Sequence, residues 1–137
     1  MSESQMARSG WPTSLADYIG WKDLGGAAGV YRSSMQIQPE HLAPNGYLQA
    51  SVVVALADIS CASGSFSMIP EGANFTTIEL KINLLGTALE GEVLSEARLQ
   101  HGGRTTQVWD AVVTHASTGR KMALFRCTQM ILYPRET

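Results

Sequence analysis

The sequence predicts an α+β domain in which one long buried helix lies across an antiparallel sheet. Three observations lead there. Residues 47–69 are small or apolar almost throughout, a run too long for a strand and marked at its end by Gly64 to Pro70. From residue 75 onward the chain alternates polar and apolar residues in segments separated by turn residues, the pattern of paired strands. The length of 137 residues, 45% of them hydrophobic, suits one compact core.

Taken in order, Thr13 or Ser14 is placed to cap a short helix over residues 15–21. Gly25, Gly26 and Gly29 then loosen the chain ahead of a strand at 30–37. Residues 39–46 read as a loop, with Pro44-Asn45-Gly46 a turn signal. The central helix follows. Strands are expected at 75–85, 92–100, 105–115 and 121–132. The paired glycines of His101-Gly102-Gly103-Arg104 suit the positive φ angles of a tight hairpin, and Ser117-Thr118-Gly119 makes a second turn. The layout is therefore strand, buried helix, then four strands. Residues 1–137 form a single domain, with residues 1–24 an N-terminal arm carrying the short helix.

Charge and motifs exclude several functions. The formal net charge is -2 with 16% charged residues and no basic block, so nucleic-acid binding has no electrostatic support. Cys61 and Cys127 stand far apart in no paired motif, as expected of reduced core thiols in a cytoplasmic protein. The N-terminus lacks the apolar segment of a signal peptide. Asp58 and five serines make residues 47–69 a poor membrane span. His41, His101 and His115 have no metal-ligand spacing, and no nucleophile elbow or phosphate-binding loop is present, so no metal or cofactor is expected. Trp11, Trp21 and Trp109 read as core or cover residues, with Trp11 and Trp21 placed to flank a pocket.

Within residues 41–70 the only ionisable acid is Asp58, and no Lys or Arg accompanies it. Burying a lone carboxylate costs several kcal/mol unless something compensates it. Ser51, Ala55, Asp58, Ala62 and Ser65 recur at spacings of four and three, one helix face lined with small residues that leave room beside the acid. The neighbouring stripe, Val52, Leu56, Ile59, Ser63 and Phe66, is mostly large and apolar. Two readings follow. Asp58 is a site acid with space for a substrate, or it is a structural acid bonded to Ser, Thr or a buried cation.

The order of elements, with this loop before the helix, resembles the hotdog fold, and within it the acyl-CoA thioesterases of the phenylacetate-degradation (4-hydroxybenzoyl-CoA thioesterase-like) family. The likeness spans residues 30–132. That family carries His-x-Asn-x-x-Gly-x-x-His-Gly-Gly, then an apolar helix with Leu-x-Asp. His41, Gly46, Leu56 and Asp58 match, while Ala43, Gln49, Ala50 and Ser51 depart from it, and Asn45 stands two residues beyond the Asn position. "FTTIELKINLL" and "GGRTTQVWDAVVT" resemble the family's second strand and its later hairpin. The His101-Gly102-Gly103 sequence lies on that hairpin and is not the family's loop motif.

The resemblance implies hydrolysis of an acyl-CoA thioester, with Asp58 as nucleophile or general base. The amide of Ala50 at the helix start would serve as oxyanion donor, and Gln49, in the loop-histidine position, can donate from its side chain. Thr77 aligns with a hydroxyl residue that orients water near the acid. Asn45, Gly46, Ser51 and Ala62 would line the substrate site, and Arg104 would meet coenzyme A phosphates or remain a solvated turn residue. A homodimer or homotetramer is implied, joined at the 75–85 strand, with Asp58 of one subunit facing Thr77 of the other. A second reading is a hotdog protein that binds acyl-CoA or an aromatic acid without hydrolysing it; a hotdog dehydratase is disfavoured, because its catalytic histidine has no counterpart beside this helix.

Overall fold

The computed structural model describes residues 14–135. Ser14 caps α1 (Leu15–Ile19) through a reciprocal capping box with Asp17, and Gly20, at φ 71°, ends it two residues earlier than expected. Thr13 and Trp11 lie outside the described residues. Two strands follow, β1 (Lys22–Ala27) and β2 (Val30–Gln36). A 3-10 turn at Pro39–His41 leads through the loop to α2 (Ala50–Phe66). Then come β3 (Asn74–Leu84), β4 (Glu92–Gly102), β5 (Thr106–His115) and β6 (Lys121–Leu132).

The strands form one antiparallel sheet in the order β1-β2-β4-β5-β6-β3. Because β3 pairs with β6 and not with β2, α2 must carry the chain across the face of the sheet from one side to the opposite edge. Its 17 residues span about 25 Å, enough for that crossing.

β1 corrects the expectation of a loosened glycine segment. Gly25 and Gly26 have little strand propensity, and backbone pairing to β2 holds them instead. Gly26 accepts no other residue, since a Cβ there would lie 2.1 Å from the Val30 carbonyl oxygen. The Asp23 carboxylate accepts from the Gly25 amide at 2.7 Å and from the Tyr31 hydroxyl at 2.8 Å, which fastens the edge. The β4–β5 hairpin forms, but neither Gly102 nor Gly103 takes positive φ. They are needed for closeness: a Cβ on Gly103 would sit 2.9 Å from His101 Nε2, and one on Gly102 3.2 Å from the Leu99 side chain.

The helix is not buried on all sides. Val53, Leu56, Ala57, Ser60, Cys61, Gly64 and Ser65 face the sheet, a stripe different from both that the periodicity suggested. Asp58 and Ala62 are half-buried and Ser51 is exposed. A single sheet covers one side of a helix, and apolar residues on three sides left the choice of side to packing. Trp109, fully buried, fills the space under Gly64, where a Cβ would lie 2.6 Å from its ring. Gly64→Ala should therefore lower stability by about 1–3 kcal/mol, because overpacking outweighs the roughly 1 kcal/mol gain in helix propensity. Denaturant melts of the purified variant check this, and an unchanged midpoint would show that the ring can move aside. Cys61 and Cys127 are free and buried in the same core.

Candidate active site

Asp58 stands in the middle of α2. Its carboxylate reaches the hydroxyl of Thr77 on β3, with Oδ1 at 3.5 Å from Oγ1, within one chain. That corrects the expectation that Asp58 faces the Thr77 of another subunit. The reason is a bulge. Thr77 pairs with Gln129 but Glu79 pairs with Thr128, so Ile78 is an extra residue in the ladder. Strict alternation would put Thr77 on the face of Glu79 and Lys81; the extra residue turns it to the helix side instead.

Around Asp58 the surroundings are largely apolar. Burial pushes its carboxyl above the usual carboxylate range, and the Thr77 hydroxyl opposes that rise when it turns its proton toward the acid. No ion pair in the described residues involves it, and those pairs that form join exposed arginines to half-buried acids, Arg126 with Asp110 and Arg32 and Arg98 with Glu96. The described residues therefore do not build the buried ion pair that one reading of Asp58 required. Its neighbour Cys61 is held neutral: the hydrogen bond with Cys127 and then burial push the thiol up.

The loop before α2 is closed on itself. Gly46, at φ 89°, completes a turn in which its amide donates to the Ala43 carbonyl at 2.8 Å, and the Ala43 amide donates to the Tyr47 carbonyl at 2.7 Å. Asn45 Oδ1 accepts from the Tyr47 amide at 3.2 Å, so this side chain is part of the turn. Buried His41 anchors the base of the loop: its Nδ1 accepts from the Gln38 amide and its carbonyl from the Gln49 amide, both at 2.9 Å. The chain is thereby delivered to Gln49, the residue just before α2, whose exposed side chain makes no capping bond. Ala50 and Ser51 open the helix, where no preceding turn supplies an acceptor for their amides.

Arg104 is exposed on the β4–β5 turn, at the end of the sheet nearest Thr77 and Gln129. Its own carbonyl accepts from the Tyr133 hydroxyl. Trp21 packs half-buried against the core. One residue the sequence reading missed is Gln129, fully buried on β6, whose Oε1 accepts the Thr77 hydroxyl at 2.8 Å. Its signal was there to be read, as a glutamine at an inward position between Cys127 and Ile131.

Residues 45–122, more than half the chain, match the thioesterase superfamily. This chain belongs to that superfamily. The matched segment begins within the turn and holds all of α2 and the Asp58–Thr77 contact. A 1,4-dihydroxy-2-naphthoyl-CoA hydrolase of Listeria monocytogenes is 32% identical over 85 residues, 62% of this chain and 68% of that protein. Among solved structures, a mutant thioesterase from Pseudomonas aeruginosa is 26% identical with a TM-score of 0.83, covering 88% of this chain and 86% of that one. A mutant thioesterase enzyme from Staphylococcus aureus is also 26% identical, with a TM-score of 0.84, covering 88% of this chain and 99% of that one. A thioesterase from Haemophilus influenzae, 20% identical with a TM-score of 0.85 over 98% of this chain and 90% of its own, shares the fold.

The fold is thus the hotdog thioesterase fold, one long helix packed on a six-stranded antiparallel sheet. The thioesterase relatives support thioester hydrolysis as the activity. For that chemistry the fold offers a half-buried carboxylate with raised basicity, a hydroxyl beside it, and a helix start with amides free to donate. No helix among the described residues is long and apolar enough to cross a membrane.

Proposed function

We propose that this thioesterase-superfamily protein hydrolyses an acyl-CoA thioester at a site shared between two copies of the chain, with Asp58 as nucleophile or general base. The observation that carries the reading is Asp58 itself, a carboxylate held half-buried with no cation paired to it among the described residues, in a chain with thioesterase relatives. Such a group is costly in a binding module and useful in a hydrolase. Coenzyme A as the leaving thiol is suggested by the Listeria relative, which also makes an aromatic acyl group the first to try, in keeping with the resemblance to phenylacetate-degradation thioesterases.

The requirement for two copies follows from helix geometry. Ala50 and Asp58 are eight residues apart on one helix, about 12 Å along its axis. A carboxylate that attacks a carbonyl directly and an amide that holds its oxygen must lie within roughly 7 Å of each other. For direct attack, the Ala50 amide and Asp58 of one chain are therefore too far apart along the helix to grip the same thioester. A two-fold partner can bring its own Ala50 amide and Gln49 side chain to this Asp58. The free edge of β3, with Ile78 and Leu80 about half exposed, is the surface for that pairing.

In the proposed reaction the thioester carbonyl oxygen lies on the Ala50 amide, with Gln49 as second donor. Asp58 attacks the carbon or takes a proton from the attacking water, and Thr77 orients that water. Ser51 and Ala62 leave room along the helix face, Asn45 and Gly46 shape the turn at its entrance, and Arg104 is available to coenzyme A phosphates. Only residues of the chain take part, with no metal or cofactor.

Purified protein should release coenzyme A from one or more members of a panel holding phenylacetyl-, 4-hydroxybenzoyl- and octanoyl-CoA, followed with a thiol reagent. Tight binding of the same thioesters without thiol release would replace this reading with the binding protein.

A further inference from the structure

We propose that Gln129 is a positioning residue for Asp58, which takes up the single hydroxyl proton of Thr77 and so withholds it from the carboxylate. The inference rests on the hydrolytic reading for its meaning, since it concerns how basic Asp58 is when it acts.

Thr77 has one hydroxyl proton and two acceptors in reach, Gln129 Oε1 at 2.8 Å and Asp58 Oδ1 at 3.5 Å. The first distance is that of a well-formed hydroxyl bond, and the second is at the outer limit of one. Gln129 is held for this task. It is fully buried, so its amide must find partners, and its Nε2 turns to Cys127 Sγ at 3.6 Å, leaving Oε1 for Thr77. Its cross-strand neighbours are Thr77 on one side and Gln107 on the other, and Gln107 is itself fixed by a 2.8 Å bond from the Trp109 indole. Thr77, Gln129 and Gln107 form a row across β3, β6 and β5 beneath the acid.

Among the described residues, nothing else near Asp58 competes for the role. Its own helix contributes the neutral thiol of Cys61, and β6 the thiol of Cys127. The helix-facing positions of β2 and β4 include Ser33, Met35, Val93 and Ser95, and none carries a charge. Asp17 of α1 is engaged in its own capping box. Glu79, Lys81, Asp110 and Arg126 belong by register to the opposite face of the sheet. Among the described residues of its own chain, the direction of the Thr77 proton is thus the nearest control on the carboxylate. A bond donated to a carboxylate stabilises its charged form, and withholding that bond keeps Asp58 a stronger base.

Gln129→Met keeps the length and burial of the side chain and removes the acceptor. The Thr77 proton should then turn to Asp58 and lower its titration midpoint by about one pH unit. Carboxyl carbon-13 NMR of aspartate-labelled protein reads this directly, with no substrate. The acid limb of the kcat/KM profile should move down by the same amount. An unchanged midpoint in folded Gln129→Met overturns the proposal. Thr77→Val supplies an independent arm. If Gln129 already holds the proton, this change leaves the Asp58 midpoint near its original value; a rise of about one unit would mean that Thr77 donates to Asp58 after all, and the proposal fails. Because the NMR arms need no turnover, their failure is distinct from failure of the hydrolytic reading, which substitution of Asp58 tests.

Discussion

Asp58→Asn should leave a folded protein whose maximal rate of thioester hydrolysis is lower by about 10²- to 10⁴-fold. Asparagine keeps the volume and the contact to Thr77 and removes the group that attacks or deprotonates water. The pH dependence of the parent follows from the same environment. Burial holds the Asp58 carboxyl above the ordinary range, and the active form is the ionised one. Activity of the parent should therefore rise through that elevated value as pH increases. Stability should run the other way. A carboxyl that is harder to ionise in the folded than in the unfolded chain costs nothing below the unfolded value. Its cost appears as pH rises through the gap between the two and persists above. At neutral pH, Asp58→Asn should thus melt at or above the parent temperature, and the difference should vanish in acid. Steady-state kinetics and thermal melts across pH check both halves. Parent-like turnover by the variant would remove Asp58 from the mechanism.

Ala50→Pro should be nearly as damaging, by about 10²- to 10³-fold, the usual loss when one oxyanion donor is removed. The substitution deletes the amide hydrogen and little else. Ala50 is the first helical residue, where proline is well tolerated, and Gln49, at φ −63° and ψ 125°, already has the extended backbone that a residue before proline prefers. Far-ultraviolet circular dichroism should show the helix intact. The pair of variants then tests the shared site. When Asp58→Asn and Ala50→Pro chains are unfolded together and refolded, half of the dimers are mixed. Each mixed dimer has one site with both lesions and one with neither, so roughly a quarter of parent activity should return. Asp58→Asn mixed with Thr77→Val should return none, because Asp58 and Thr77 belong to one chain and every site keeps a lesion. No recovery in the first mixture, with mixed dimers confirmed by mass spectrometry, would overturn the shared arrangement, and recovery in the second would overturn the pairing of Asp58 with the Thr77 of its own chain.

Much of this protein was legible as a string of residues. The apolar run of residues 47–69 is too long for a strand and so reads as a helix despite its three valines, and the alternation after residue 75 reads as strands, both from local pattern. The Ala43–Gly46 turn was legible because proline and a positive-φ glycine act within four residues. Asp58 was conspicuous because a lone acid in an apolar segment needs a reason. Other features arose only when distant segments met. β1 is a strand through its pairing with β2, not through its own glycine-rich composition. The helix face that meets the sheet was chosen by the space over Trp109, because α2 is apolar on several sides and only a small residue fits there. Thr77 reaches Asp58 because one extra residue, Ile78, shifts the phase of β3 against β6, and a bulge is a property of two strands together. Gln129 is beneath the acid because β6 lies between β5 and β3, an order that no local pattern encodes. Local periodicity therefore supplied the elements and the acid, while long-range register determined what stands beside that acid.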